Sequence, residues 1–384
     1  MNKTAYICSL KYSIGLTKEF FLMGSELQKS GWSVKYLLAQ EYFCLLKEFP
    51  SIEKNQIHFI TDSKNLKTLL IETIFFLKFI TKLKNILCFQ KADFVCVYNP
   101  HPFNSTILKY SKKINSNVIN SIYFHEPYKE NKLRYGLLGG FFELVGEKIS
   151  KFCLKYVTDL IFPSPYSKEL YLKKYNKKYP SIKFHIAPLL LPTIENKSCN
   201  TQPTYLSLVG TINKDRSADE FFSFISYCSE HNLTEYSFCI ITKSNISKYL
   251  SPLSENEKSL LTVINKDKIS DCEIEQVLTN SIATFLSHKS ITQSGNVPVA
   301  FRSGTPIIAR NLLGFSQHIF HKLNGYLVNE IITNEELLEA ITYINANHEK
   351  LSNNAKESFE SIFSEHNFSK YYSWLLDLSS YSLV

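Results

Sequence analysis

The chain has 384 residues, enough for about two domains with two buried cores. With 44% apolar and 20% charged residues it is neither disordered, nor collagen-like, nor a small disulfide scaffold. The net charge of +8 is unevenly spread. Residues 1–200 carry 29 Lys and Arg against 15 Asp and Glu, a surplus of +14, whereas residues 201–384 carry 14 against 20, a balance of −6. A basic half joined to an acidic half directs the front of the chain at an anionic partner: a membrane surface, a phosphorylated lipid or nucleic acid.

Met1-Asn2-Lys3-Thr4 leads straight into the strand-like Ala5-Tyr6-Ile7-Cys8, with no signal-peptide apolar region before it. The nine cysteines are scattered, odd in number and without a C-x-x-C pair, so buried reduced thiols in a cytosolic protein are expected. Tyr6–Leu10 predicts a first strand, followed by a loop at Ser13-Ile14-Gly15. A helix over Thr17–Lys29 ends at Gly31, and Ser33–Leu38 and Ile57–Ile60 predict further strands.

Residues 67–88, KTLLIETIFFLKFITKLKNILC, are interrupted by Glu72, Lys78, Lys82 and Lys84 and so lack the ~20 uncharged residues of a membrane span. At helical spacing Lys67, Lys78, Lys82 and Asn85 fall on one side, and Phe76, Phe79, Ile80, Leu83 and Leu87 on the other. Such a helix either packs on its own domain or lies on a membrane, with Lys67, Lys78, Lys82 and Lys84 meeting anionic head groups.

Phe94–Tyr98, a helix from Asn104, Val118–Phe124, a helical stretch 136–156 and Leu160–Pro163 continue the alternation. Apolar strands separated by long helices predict a parallel sheet covered on both faces. Ala187-Pro188-Leu189-Leu190-Leu191-Pro192 then gives way to the polar run 195–203, which reads as an inter-domain linker. The pattern restarts with strands at Thr204–Val209, Ser237–Thr242, Leu261–Ile264, Ala283–Leu286, Thr305–Ala309 and Gly325–Val328. Helices are expected at Ala218–Cys228, Glu273–Asn280, Val297–Ser303 and from 333 onward. The expected organisation is an N-terminal domain 1–195, a C-terminal domain 196–365, and a helix in 366–384 packing back on the N-terminal domain.

Ligands of doubly wound sheets bind beyond the carboxyl ends of the strands, so residues there are the candidates. Gly15 follows the first strand and precedes a helix whose free N–H groups suit an anion. His125 ends an apolar strand and is stopped by Glu126-Pro127, a position for hydrogen bonding to a substrate. Gly210 and Thr211, followed by Lys214 and Arg216 before a helix, combine a glycine turn with two cations, which suits a diphosphate. Thr292-Gln293-Ser294-Gly295 is a small polar loop opening a helix that carries Arg302.

With these residues in place, the segment ITQSGNVPVAFRSGTPIIARNLLGFSQHIFHKLNGYLV resembles the C-terminal donor-site signature of family 4 glycosyltransferases of the GT-B fold. LVGTINKDRS is similar to that family's glycine–arginine…lysine loop, with Thr211 at the usual Arg and Arg216 at the usual Lys. SIYFHEP, FPSPYSKEL and YSIGLTKEFFLMGSELQKSGWSV resemble its N-domain motifs, so the likeness runs in order through nearly the whole chain. The family's two glutamates, eight positions apart, would fall near Ile291 or Thr292 and at Val299 or Ala300, and neither place is acidic.

The resemblance implies an α/β chain of two Rossmann-like doubly wound domains facing across a cleft. It also implies a retaining transfer of sugar from a nucleotide-diphosphate donor, without a metal or other cofactor. Arg216, with Lys214, would neutralise the leaving diphosphate, and His125 would contact the donor sugar. Gly15, Gly210, Thr211 and the loop Thr292, Gln293, Ser294 and Gly295 would complete the donor site. The acceptor would be a lipid-linked saccharide of surface-polysaccharide assembly, at the anionic inner face of a membrane, with no role for nucleic acid. The missing glutamates keep a second expectation open: a non-catalytic GT-B protein that binds a nucleotide sugar or glycan, or partners an active transferase.

Overall fold

Runs of Val, Ile, Leu, Phe and Tyr build two sheets in which every strand pairs in parallel. The computed structural model describes residues 3–49, 52–61, 76–89, 91–126, 136–175, 178–193, 203–213 and 215–376. Contacts divide the chain into two units, Met1–Leu190 with Phe368–Val384, and Leu191–Asn367.

The first unit holds strands β1 (Thr4–Ser9), β2 (Ser33–Ala39), β3 (Ile57–Thr61), β4 (Phe94–Tyr98), β5 (Ile119–Tyr123), β6 (Asp159–Phe162) and β7 (Lys183–Ile186), in the order β3-β2-β1-β4-β5-β6-β7. Its helices are α1 (Thr17–Lys29), α2 (Phe76–Phe89), α3 (Asn104–Ile114), α4 (Gly136–Cys153) and α5 (Pro165–Tyr175). Every residue of β1 and of β4 is buried, as a sheet covered on both faces requires. The two-residue period splits their side chains between cores. Ala5, Ile7, Phe94 and Tyr98 pack with Phe20 of α1, while Tyr6, Cys8, Val95 and Val97 pack with Leu83 of α2 and Ile107 of α3.

Helix α2, the described part of the amphipathic run, packs on its own domain. Phe79 and Leu83 are buried in that second core, and Lys82, Lys84 and Asn85 are exposed. Lys67 and the side chain of Lys78 lie outside what is described.

The second unit holds β8 (Tyr205–Val209), β9 (Ser237–Thr242), β10 (Leu261–Asn265), β11 (Ser281–Leu286), β12 (Ile307–Arg310) and β13 (Gly325–Val328), in the order β10-β9-β8-β11-β12-β13. Helices α6 (Asp219–Glu230), α7 (Asp271–Thr279), α8 (Asn296–Arg302), α9 (Asn334–Ala346) and α10 (His348–Ser358) cover it. The last described helix, α11 (Phe368–Leu376), belongs to the first unit. It buries Phe368, Tyr372 and Leu375 in that unit's core, and Trp374 stacks on His185 of β7 at 3.7 Å between ring centres. His185 in turn bonds Asp159 of β6 at 2.7 Å, so this helix is tied to the sheet edge.

One buried group strains the first core. Glu19 of α1 is buried among Tyr98, Tyr123 and Tyr372, and burial pushes its carboxyl well above the usual carboxylate range. Tyr98 donates to Met23 Sδ and Tyr123 to the Ala187 carbonyl, and the same two phenols, close to the carboxyl, offset the effect of burial only in part. The folded chain therefore holds a proton that the unfolded chain releases above the ordinary carboxylate pKa. Stability falls as pH rises from that value toward the raised one. Glu19→Gln removes this slope. Thermal unfolding between about pH 5 and pH 8 is expected to show the wild type losing at least ~3 °C relative to the variant; parallel pH profiles would contradict a neutral Glu19.

Candidate functional site

In a doubly wound sheet, the strands on either side of the order reversal open a crevice at their carboxyl ends. In the second unit those strands are β8 and β11. Gly210 follows β8 at a φ of +104°, a backbone shape that L side chains rarely adopt. A Cβ there would lie 3.2 Å from both terminal guanidinium nitrogens of Arg216 and 3.3 Å from Asn296 Nδ2. The two side chains converge on one acceptor: Arg216 Nη2 and Asn296 Nδ2 each donate to the Val209 carbonyl at 2.8 Å.

A built turn presents Arg216. Asn213 Oδ1 accepts from the backbone N–H groups of Asp215 and Arg216 at 2.9 and 3.0 Å, and Asn213 N donates to the Arg216 carbonyl at 3.1 Å. The turn is stitched to the segment after β11, where Lys289 N donates to the Asp215 carbonyl at 2.8 Å and Arg216 pairs with His288 as an isolated bridge. Burial pushes the guanidinium down to about 10, against the opposing pull of Asp215, so Arg216 remains charged at neutral pH. One of its five donors is spent on Val209, and neither Nε nor Nη1 makes a hydrogen bond among the described residues.

The loop before α8 is buried rather than open. Thr292, Gln293 and Ser294 are all buried, and Gln293 is 4% exposed with both amide atoms lacking a partner. A buried amide in that condition costs stability unless a bound molecule completes it. Ser294 Oγ accepts from Asn296 N at 3.3 Å, and the Thr292 carbonyl accepts from Gln317 at 3.2 Å. Gly314 fixes the loop from behind, because a Cβ there would sit 2.2 Å from the Ile291 carbonyl oxygen. Helix α8 has only seven residues, with Gly295 at its N-cap and no side-chain cap, so its dipole supplies less than the sequence pattern suggests.

Beside Gly210 lies a cavity of about 80 Å³ lined by Asp271, Glu275, Asn296 and Val299 among others. Val299, one of the two positions at which the second glutamate of the family the chain resembles would fall, lines this cavity, and the carboxylates around it, Asp271 and Glu275, come from α7. Glu275 is paired with the buried Arg302, which also donates to the Pro192 carbonyl at 3.0 Å.

The remaining candidates fall as follows. Thr211 is exposed beside Gly210, Gly295 is exposed, and Lys214 lies outside the described residues. Gly15 sits in a short turn before α1, and a Cβ added there would meet nothing within 4 Å, so packing does not demand a glycine at that position. His125 follows β5, and its carbonyl accepts from Ser167 Oγ at 3.4 Å. Both belong to the first unit.

Sequence reasoning missed Asn296 and Arg310. Asn296 carries no motif of its own. Arg310, at the end of β12, is 3% exposed and donates to the carbonyls of Ser287, His288 and Glu330 while pairing with Glu220. It holds the segment after β11 in place. Among the described residues no group of three or more His, Cys, Asp or Glu side chains is arranged to hold a metal ion.

No family model and no curated protein matches the chain. Solved structures do. The pneumococcal O-GlcNAc transferase GtfA, in complex with UDP and GlcNAc, is similar over 99% of this chain and 100% of its own, with a TM-score of 0.69 and 11% identity. HepE from Anabaena, in complex with UDP, is similar over 98% and 100%, with a TM-score of 0.68 and 9% identity. The lipopolysaccharide outer core galactosyltransferase WaaB, in its apo form, is similar over 97% and 99%, with a TM-score of 0.63 and 14% identity. Likeness at this level of identity establishes the fold, two Rossmann-like domains of the GT-B type.

The two arginines of the crevice separate by role. Arg310→Ala leaves Glu220 and three carbonyls without their donor, and denaturant unfolding is expected to show a loss of about 3 kcal/mol. Arg216→Ala gives up a single carbonyl bond and is expected to cost about 1 kcal/mol or less. Equal losses in the two variants would contradict this division.

Proposed function

We propose that the chain is a retaining glycosyltransferase that moves a sugar from a nucleotide-diphosphate donor to a lipid-linked saccharide in surface-polysaccharide assembly of the O-antigen or capsule type. The observation that carries this reading is the convergence of Gly210, Arg216 and Asn296 at the strand-order reversal of the second unit. Its support is a fold that matches end to end an O-GlcNAc transferase and a galactosyltransferase, together with two matched structures, GtfA and HepE, that contain UDP.

In the reaction, the bond between the anomeric carbon and the diphosphate oxygen breaks, and a bond from the acceptor hydroxyl oxygen to that carbon forms on the same face. The acceptor's proton leaves with the departing diphosphate. Negative charge grows on the diphosphate, and a fixed guanidinium placed against it is worth more than one that must be assembled from solvent. Arg216, already oriented by Val209 and the Asn213 turn, fills that role, and Lys214 adds to it. The Gln293 amide completes its hydrogen bonds on the donor, with Thr211, Thr292, Ser294 and Gly295 around it. Gly15, before α1, and His125, after β5, are the first unit's candidates for contact with substrate. The chemistry uses no metal, since the cation is supplied by the protein. The enzyme works at the cytoplasmic face of the membrane as a peripheral protein. No helix among the described residues is long and apolar enough to cross a membrane.

A non-catalytic role as a nucleotide-sugar-binding partner subunit is favoured by one observation: Val299 and Ala300, at one of which the family the chain resembles carries a glutamate, are both apolar, and Val299 lines the cavity. Turnover decides between them. Nucleoside diphosphate release from a panel of nucleotide sugars with lipid-linked acceptors is expected for the wild type, and Arg216→Ala is expected to lower it by about 100-fold with folding intact. Tight nucleotide binding with no release across the panel would select the partner-subunit reading. Release unchanged by Arg216→Ala would remove Arg216 from the mechanism.

A further inference from the structure

Among the described residues of the first unit, helix α4 is where large apolar side chains crowd an exposed helix face. Of its 18 residues, Phe141 is 59% exposed, Leu144 45% and Phe152 56%. At 100° per residue these three fall within a single face, together with Lys148, Lys151 and, in the turn just beyond the helix, Lys155. All three lysines are exposed. The opposite side is committed to the domain: a Cβ at Gly146 would meet Pro100 at 3.7 Å, and Cys153 is buried in the core shared with α2 and α3. The nearest carboxylate with a described partner, Glu147, is turned aside and bonded to Lys174 and to Tyr175 at 3.0 Å.

The helices of the same layer add charge of one sign. Neither α2 nor α3 contains an acidic residue, and Lys82 and Lys84 of α2 and Lys112 and Lys113 of α3 are exposed.

We propose that the exposed face of α4 is a docking surface for an anionic lipid bilayer, with Phe141, Leu144 and Phe152 entering the head-group boundary and Lys148, Lys151 and Lys155 meeting lipid phosphates. This deepens the reading of a lipid-linked acceptor, on which it rests, by placing membrane contact on α4 rather than on α2, whose Phe79 and Leu83 are buried. The composition selects the bilayer over a protein partner. Lysine is depleted in protein–protein interfaces, where its ammonium would have to give up water, whereas on a membrane it keeps its water and lies among anionic oxygens. The +14 surplus of residues 1–200 favours the same occupant.

The test is co-sedimentation of the full chain with phosphatidylcholine vesicles and with one-to-two phosphatidylglycerol–phosphatidylcholine vesicles, alongside calorimetry with UDP. The wild type is expected to bind the anionic vesicles only, and less at raised salt. The double variant Phe141→Ser/Phe152→Ser and the triple variant Lys148→Glu/Lys151→Glu/Lys155→Glu are each expected to lose that binding. Each lysine contributes about 5-fold, so the charge variant falls by about 100-fold or more. Both variants are expected to bind UDP as the wild type does, which verifies folding and keeps the donor reading separate. Wild-type binding to neutral and anionic vesicles alike, no vesicle binding, or undiminished binding by either variant would overturn the proposal. So would a concentration-dependent dimer abolished by Phe141→Ser/Phe152→Ser, which would assign the face to a second copy of the chain.

Discussion

The hydrogen bond from the Arg216 guanidinium to the Val209 carbonyl is the contact on which the proposed chemistry rests. It places a permanent cation at the carboxyl end of β8, beside the reversal of strand order, where a doubly wound sheet leaves room for a ligand. The glycine at residue 210 leaves room for the contact. Any side chain there would be strained by the positive φ and would press on both Arg216 and Asn296. Sequence, backbone shape and charge placement thus meet in a few atoms.

The other buried cations of the second unit do different work. Arg310 and Arg302 are each paired with a carboxylate, Glu220 and Glu275, and each also serves backbone carbonyls. Their charge is already answered within the protein. Arg216 differs in having donors left after its structural bond, with only the Asp215 charge opposing its burial. Gln293 makes the same point in neutral form: a buried amide with no hydrogen-bond partner is a standing cost.

The two-domain organisation is readable because alternating strands and helices leave a strong periodic signal. Strand β7 leaves none: Lys183–Ile186 is four residues long, begins with an exposed lysine, and pairs on one side only, so the apolar pattern of an interior strand is missing. The glycines of the donor-site signature are legible, but their reasons differ. Gly314 is required by its approach to the Ile291 backbone, a packing need rather than a ligand contact. Thr292, Gln293 and Ser294 read as a small polar loop opening a helix, and all three are buried. Arg216 is found from its spacing after Gly210. Arg310 is not, because a strand-end arginine gives no hint of the carbonyls it will meet.

The charge asymmetry likewise acquires a location. The acid-free helices α2 and α3 carry much of the basic surplus, and with α4 they form one layer of the first unit. The acidic balance of the second half does not oppose anion binding, because a diphosphate is met by local donors at close range rather than by net charge. The most direct measurement of the central claim is a crystal structure of the chain with a nucleoside diphosphate. The account predicts the diphosphate within hydrogen-bond distance of the Arg216 guanidinium, at the carboxyl ends of β8 and β11. A nucleotide bound elsewhere, with Arg216 making only its Val209 bond, would contradict it.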